Sequence, residues 1–250
     1  MKELLLQIFL PNLSTRVLTK NDDGYVTTQG VLVDYIQMEI EHDSKTYFLL
    51  DGIWNLLQDD FDNSLSEKYR SRVSSKFRDH RFIREWREVN EEEYNSGYND
   101  PPNSLYMHLL KVNYIELCDA LVIDSQNKVT YIIHAKDSVG ATIRDLTSQV
   151  RIAASIIEEE IQTNNYDSLI KLYCQASENG RIDATAMSQD FFLSCFIDFR
   201  REYVLVIHDK NKTFVNIREG NFDSRIAKFS LVDFVTRMNG DNWNCSICCA

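Results

Sequence analysis

The chain has 250 residues, 27 Lys and Arg against 38 Asp and Glu, a net charge of −11, and 44% apolar residues. That apolar content supports a sizeable core and excludes a disordered or collagen-like chain. The acid excess excludes a generally basic nucleic-acid coat but leaves room for a local basic patch.

Near the start, the apolar run Leu4 to Leu10 is broken by Gln7 and followed by Pro11. It is too short to span a bilayer and lacks small-residue cleavage signals, so a cytoplasmic protein is expected, with no membrane partner. Up to about Asp51 the chain reads as strands or short mixed elements: Leu4–Leu10, Val31–Ile40 and Thr46–Leu50, with a turn at Asn21-Asp-Asp-Gly24. From Ile53 to about Val89, Trp54, Leu57, Phe61, Leu65, Tyr69, Val73 and Phe77 recur every three or four residues, which predicts a helical segment.

That segment reverses the charge of the chain. Lys68, Arg70, Arg72, Lys76, Arg78, Arg81, Arg84 and Arg87 are opposed only by Asp79 and Glu85, and Phe77, Phe82 and Trp86 lie among them. Two readings stand. One is a solvated face paired with acids such as Glu91-Glu-Glu93; the other is a surface that grips the phosphates of DNA or RNA. Asn95 to Pro102 reads as a loop. It divides an N-terminal strand and basic-helix portion, 1–93, from an α/β core, 94–250.

Asn113 to Ile123 is a β-branched run with two embedded acids, Glu116 and Asp119. Asp124-Ser-Gln-Asn-Lys128 is a turn, and Val129 to Ile133 is a second strand ending in His134-Ala-Lys136. A turn centred near Gln126 makes a hairpin in which Asp119 faces His134 and Leu117 faces Lys136. Strand alternation then gives Asp119, His134 and Lys136 a common face and sends Glu116 to the other unless a bulge intervenes. A helix follows from about Ala141 to Glu160, with the stripe Ile143, Leu146, Val150, Ala153 and Ile157; Gln149 lies beside it, within reach of the strand ends. Tyr203 to Ile207 is a third strand, and His208-Asp-Lys210 reads as its end turn. Trp243 to Cys249 is a terminal strand. Cys118, Cys174 and Cys195 sit in apolar runs, as buried thiols do. Cys245, Cys248 and Cys249 lack the second pair that tetrahedral zinc needs.

A carboxylate, an imidazole and a lysine on one face suit metal-assisted phosphodiester cleavage. The carboxylate and imidazole would hold Mg2+ or Mn2+, and the lysine would orient water or offset developing charge. The plainer alternative is a polar trio paired inside the sheet. No glycine-rich phosphate loop and no Gly-x-Ser-x-Gly elbow is present.

The motifs Ile115-Glu-Leu-Cys-Asp119, Ile133-His-Ala-Lys136, Leu146-Thr-Ser-Gln149 and Ala153-Ala-Ser155 resemble a sporadically distributed bacterial family linked to mobile elements and phage defence. Asp51-Gly-Ile-Trp54, Tyr94-Asn95 and Ala227-Lys-Phe-Ser230 add to the likeness, which runs from about Thr46 to the C-terminus. The order strand, Asp, turn, strand, x-Lys, helix, strand is also similar to the PD-(D/E)XK nuclease core. That resemblance implies a restriction-endonuclease-like α+β fold: a mixed sheet flanked by helices, behind an N-terminal β/helical extension. It makes Asp119 the first metal ligand, His134 the second, Lys136 the lysine and Gln149 the polar helix residue. His134 departs from the pattern by standing where an acid is expected, so the site would prefer manganese, recruit Glu116, or be inactive.

Three functions remain open: a metal-dependent nuclease of antiviral defence; an inactive nuclease-fold module that binds nucleic acid or a defence-system partner protein; and an interaction protein that forms a homo-oligomer through the Trp243–Cys249 edge.

Overall fold

The computed structural model describes residues 16–20, 26–31, 38–43, 45–50, 53–56, 60–87, 90–99, 103–140 and 142–250. Contacts group the chain into two compact units, Met1–Asp62 and Asn63–Ala250; the division drawn from the sequence fell after residue 93. In the first unit, strands β1 (Arg16–Lys20) and β2 (Val26–Val31) pair antiparallel. Strands β3 (Met38–His42), β4 (Lys45–Leu50) and β5 (Ile53–Leu56) form a second antiparallel sheet. The expected strand at Leu4–Leu10, the turn at Asn21–Gly24 and the middle of the Val31–Ile40 run lie outside the described residues.

The second unit is built on a five-stranded mixed sheet in the order β12-β11-β10-β9-β6. Its strands are β6 (Ser104–Tyr106), β9 (Ala120–Asp124), β10 (Val129–Lys136), β11 (Arg200–Ile207) and β12 (Cys245–Cys249). The β6–β9 and β9–β10 pairs are antiparallel, and the β10–β11 and β11–β12 pairs are parallel. The fold class is therefore the α+β one expected: a mixed sheet with helices packed on it. The β9–β10 hairpin has the expected register, Asp124 opposite Val129 and Ala120 opposite Ile133. Its turn is fixed by the Asp124 carboxylate, which accepts from the Asn127 backbone N–H at 2.9 Å. β11 is buried from Glu202 to Ile207, as a parallel strand covered on both faces must be.

Strand alternation sets the two faces. Ile133, Ala135, Val204 and Val206 share one core with Trp86, Tyr94 and Tyr98. On the other face, Tyr203 donates to Glu158 of the helix α3 (Thr142–Thr163), and Arg201 grips the same carboxylate with two bonds of 2.8 Å. All five predicted stripe residues of α3, from Ile143 to Ile157, are buried. Helices α4 (Asp167–Glu178) and α5 (Gln189–Ile197) lead from α3 to β11, and α6 (Phe214–Arg218) and α7 (Arg225–Gly240) lead from β11 to β12.

The segment expected to be helical from Ile53 to Val89 is not one helix. Ile53–Leu56 is strand β5, and helix α1 spans Phe61–Lys68. Its coil continues as a wide turn over Tyr69–Val73 and a 3-10 turn over Ser74–Lys76. Leu65, Tyr69, Val73 and Phe77 are all buried, so their spacing correctly signalled a covered face. The helix ends at Lys76 because Phe77 turns extended and bridges Ile247 of β12, with Arg78 N–H donating to the Ile247 carbonyl at 2.9 Å. Tyr69 pins the segment by donating to the Ile217 carbonyl at 2.7 Å. Gly220, with φ +74°, passes so close to the Tyr69 ring that a Cβ would lie 2.8 Å from it.

β12 is an end strand of the sheet, and the Phe77–Arg78 backbone meets its outer edge at Ile247, with His80 3.2 Å from Ser246 Oγ. The loop expected at Asn95–Pro102 begins inside structure: helix α2 (Glu91–Ser96) and a 3-10 turn over Gly97–Asn99. Of the three mid-chain thiols, Cys118 and Cys195 are buried and Cys174 is exposed.

Candidate metal centre

Four pieces of backbone meet where β10 ends. Asn90 caps α2 by accepting from Glu93 N–H, and three glutamates fill the first turn, where the helix dipole favours negative charge. Tyr94 and Asn95 of α2 and Tyr98 beyond it are buried. Glu91, three and four residues earlier, therefore lies on the same inward face, and its carboxylate meets Lys136 Nζ of β10 at 2.9 Å.

Asp119 immediately precedes β9. Its backbone N–H makes the last hairpin bond, to the Ile133 carbonyl at 2.8 Å, and its carboxylate then accepts from the next donor, Ala135 N–H, at 2.8 Å. Serving the β10 backbone draws the carboxylate off the face that an ideal ladder would give it beside His134. Its other oxygen lies 2.7 Å from His108 Nδ1, which is also 3.2 Å from Glu116 Oε1.

His108 and Glu116 face each other across a small excursion, strands β7 (Lys111–Val112) and β8 (Ile115–Glu116). The run Asn113–Ile123 is thus not one strand. A two-residue turn with both φ values positive, Asn113 (50°) and Tyr114 (68°), folds Glu116 back toward His108. Glu116 also accepts from the Leu109 backbone N–H.

One ligand atom each from Glu91, His108 and Asp119 lie within 4.8 Å of one another, and they are the metal-type cluster found among the described residues. Burial disfavours the His108 cation, but the hydrogen bonds it donates to Asp119 and Glu116 together outweigh it and push the imidazole up to about 10. Burial likewise opposes the Asp119 anion, yet the hydrogen bonds it accepts from His108 and the Ala135 N–H, with the charge of the His108 ring, together hold the carboxyl below its usual range. Burial raises Glu91, with Lys136 pulling the other way, and Lys136 is raised by Glu91 against its own desolvation.

His134 does not join the cluster. It is 2% exposed and its Nε2 lies 3.1 Å from the Leu117 carbonyl. That oxygen can only accept, so Nε2 carries the proton; burial pushes the ring below its ordinary value and keeps it neutral. A neutral ring adds little to the field at Asp119, which leaves His108 as the counter-ion. Of the sequence-derived site residues, Asp119, Glu116 and Lys136 come together, His134 turns inward, and Gln149 is exposed on α3. Spacing missed Glu91 and His108. The inward period of Glu91 with Tyr94 and Tyr98 could have marked the first, and the Asn113-Tyr114 turn signal the second.

The basic residues do not form one helical stripe. Lys68, Arg70 and Arg72 lie in or just after α1, whereas Arg78 to Arg87 run through irregular chain. Arg72 donates to Thr236, Arg78 to the Ser75 and Phe77 carbonyls, Arg84 to the Tyr94 carbonyl at 2.7 Å, and Arg87 pairs with Glu85. Lys68, Arg70 and Arg81 are exposed and Lys76 is half-buried. Arg84 is a structural cation: it ties off the end of α2, and a Cβ on Gly97 would fall 1.5 Å from its guanidinium.

No helix among the described residues is long and apolar enough to cross a membrane. No curated protein and no solved structure is significantly similar to the chain. Residues 8–248 match the family of unknown function DUF6119, and the chain belongs to that family.

Proposed function

We propose that the chain is a metal-dependent nuclease-like protein that cleaves DNA or RNA, with Glu91, His108 and Asp119 as the metal ligands. The observation that carries this reading is their convergence beside Lys136, at the carboxyl end of a parallel strand, where open α/β sheets bind ligands. The donor set fits a divalent cation: two carboxylates, a third from Glu116 beside His108, and one imidazole. Mixed oxygen and nitrogen donors suit Mn2+ better than Mg2+. The cation supplies polarisation of the phosphate and acidification of a water. Asp119 and Glu91 fix its position, since the Ala135 N–H holds one and Lys136 the other. His108 gives up its proton to ligate. Lys136, whose ammonium is retained well above neutral pH, offsets charge building on the phosphate and can steer the attacking water. Of the basic segment, Lys68, Arg70 and Arg81 have the exposure to hold flanking phosphates.

The test is incubation of single- and double-stranded DNA and RNA with the protein and Mn2+ or Mg2+. Cleavage that disappears in Asp119→Asn and Lys136→Ala is expected; full cleavage in both variants contradicts the assignment. A second reading, an inactive module that binds nucleic acid or a partner subunit, is favoured by His134, which leaves the His-x-Lys strand without the acid of a nuclease. Strand binding that survives Asp119→Asn, without cleavage under any cation, would select it. A role in phage defence rests on the sequence resemblance alone, and predicts phage resistance that Asp119→Asn removes.

A further inference from the structure

Beside the cluster of carboxylates stands an arginine that no carboxylate among the described residues holds. Arg181 follows Gly180, whose φ of +67° closes α4. Arg181 N–H donates to the Ala176 carbonyl at 2.8 Å and Gly180 N–H to Ser177 at 3.0 Å, the paired bonds of a Schellman cap, so the Arg181 backbone is fixed. Its guanidinium carbon sits 4.2 Å from the centre of the Tyr106 ring on β6. One nitrogen, Nη1, donates to the His108 carbonyl at 2.6 Å. The side chain is half-buried. Among the described residues its contacts are that carbonyl and that ring, which leaves the Nε and Nη2 donors for a ligand.

We infer that Arg181 is the phosphate anchor of the metal centre, gripping a phosphodiester of the nucleic-acid strand next to the cation. The inference rests on the metal-centre reading above. Two properties carry it. The guanidinium is held in place before any ligand arrives, by a helix cap, an aromatic face and one hydrogen bond, so little freedom is lost on binding. It adjoins His108, donating to the backbone carbonyl of that proposed ligand. Arginine's planar fork is suited to two phosphate oxygens in a way that an ammonium is not. The Tyr106 ring beneath it is half-buried and offers the guanidinium an aromatic face.

The test uses the full chain with Ca2+ in place of Mn2+, and reads anisotropy of fluorescein-labelled 12-residue DNA and RNA strands across a salt series. Mn2+ affinity is measured beside it by calorimetry. Arg181→Ala is expected to weaken strand binding about tenfold and to lower the log–log salt slope by about one, with Mn2+ affinity unchanged. Arg181→Lys should restore the slope and only part of the affinity. Wild-type affinity and slope in Arg181→Ala overturn the inference. So does a loss of Mn2+ affinity in step with strand binding, because Arg181 would then serve only to hold His108. A wild-type chain that binds Mn2+ but neither strand also overturns it. Strand binding that depends on Arg181 in a chain that binds no Mn2+ upholds the anchor and removes the metal reading.

Discussion

His108 and His134 lie close to the same aspartate, yet their surroundings set opposite chemistry. His108 is in a turn-rich excursion between β6 and β9, with carboxylates at 2.7 and 3.2 Å, and these keep it charged. His134 is inside a strand with a backbone carbonyl as partner, and burial keeps it neutral. The first can exchange a proton for a cation among anionic oxygens. The second has its Nε2 spent and its ring sealed in the sheet. The contrast teaches that residue spelling along a strand nominates ligands, but the partner atoms decide which imidazole can serve.

The largest expected effect comes from removing the aspartate that both rings sense. Asp119→Asn should abolish cation binding and destabilise the fold by about 3 kcal/mol, because a buried charge pair loses one member. Urea denaturation at pH 7 measures the second quantity, and an unchanged midpoint would show that His108 and Asp119 are not paired. Next comes the same substitution at both histidines. His108→Gln should lower Mn2+ affinity about 100-fold or more, whereas His134→Gln, which keeps an N–H for Leu117, should leave it within about twofold. Equal losses would erase the distinction.

The pH dependence of stability should also separate the two rings. The His108 value is raised, so its ion pair contributes fully below the ordinary imidazole range, near ~6.5, and fades as pH climbs to about 10. The depressed Asp119 value means that this carboxylate's contribution is present above ~4 and is lost as acid protonates it. The stability gap between wild type and Asp119→Asn should therefore be flat between about pH 5 and 6.5 and shrink toward 10. His134 acts in the opposite sense. Its lowered value costs stability as pH falls below ~6.5, and His134→Gln should remove that acid-side slope.

The smallest effect tests the support of Glu91. Gly97→Ala would displace the Arg84 guanidinium and its bond to the Tyr94 carbonyl, costing about 1 kcal/mol. A thermal midpoint lower by a few degrees is expected. No change would mean that Arg84 does not hold α2.

The local architecture of the core was legible in the sequence because local rules govern it. The Asp124–Lys128 turn set the hairpin register, and the stripe from Ile143 to Ile157 set α3. The site was half legible. Asp119 and Lys136 sit on regular strand ends, where alternation works. His108 reaches Asp119 through left-handed residues at Leu109, Asn113 and Tyr114; Asn113 favours such a position, but Leu109 and Tyr114 do not. Glu91 looked like one of three acids opposing the basic segment, and only the packing of Tyr94 and Tyr98 selects it. The helical spacing through Phe77 misled for a related reason: a buried period of four persists after the chain has left the helix to pair with β12.

The most direct measurement is anomalous diffraction from crystals soaked in Mn2+. A single strong peak is predicted in contact with the Glu91 and Asp119 carboxylates and His108 Nδ1, with the Leu117–His134 bond intact. A peak coordinated by His134, or none beside Asp119 at saturating Mn2+, would contradict the account.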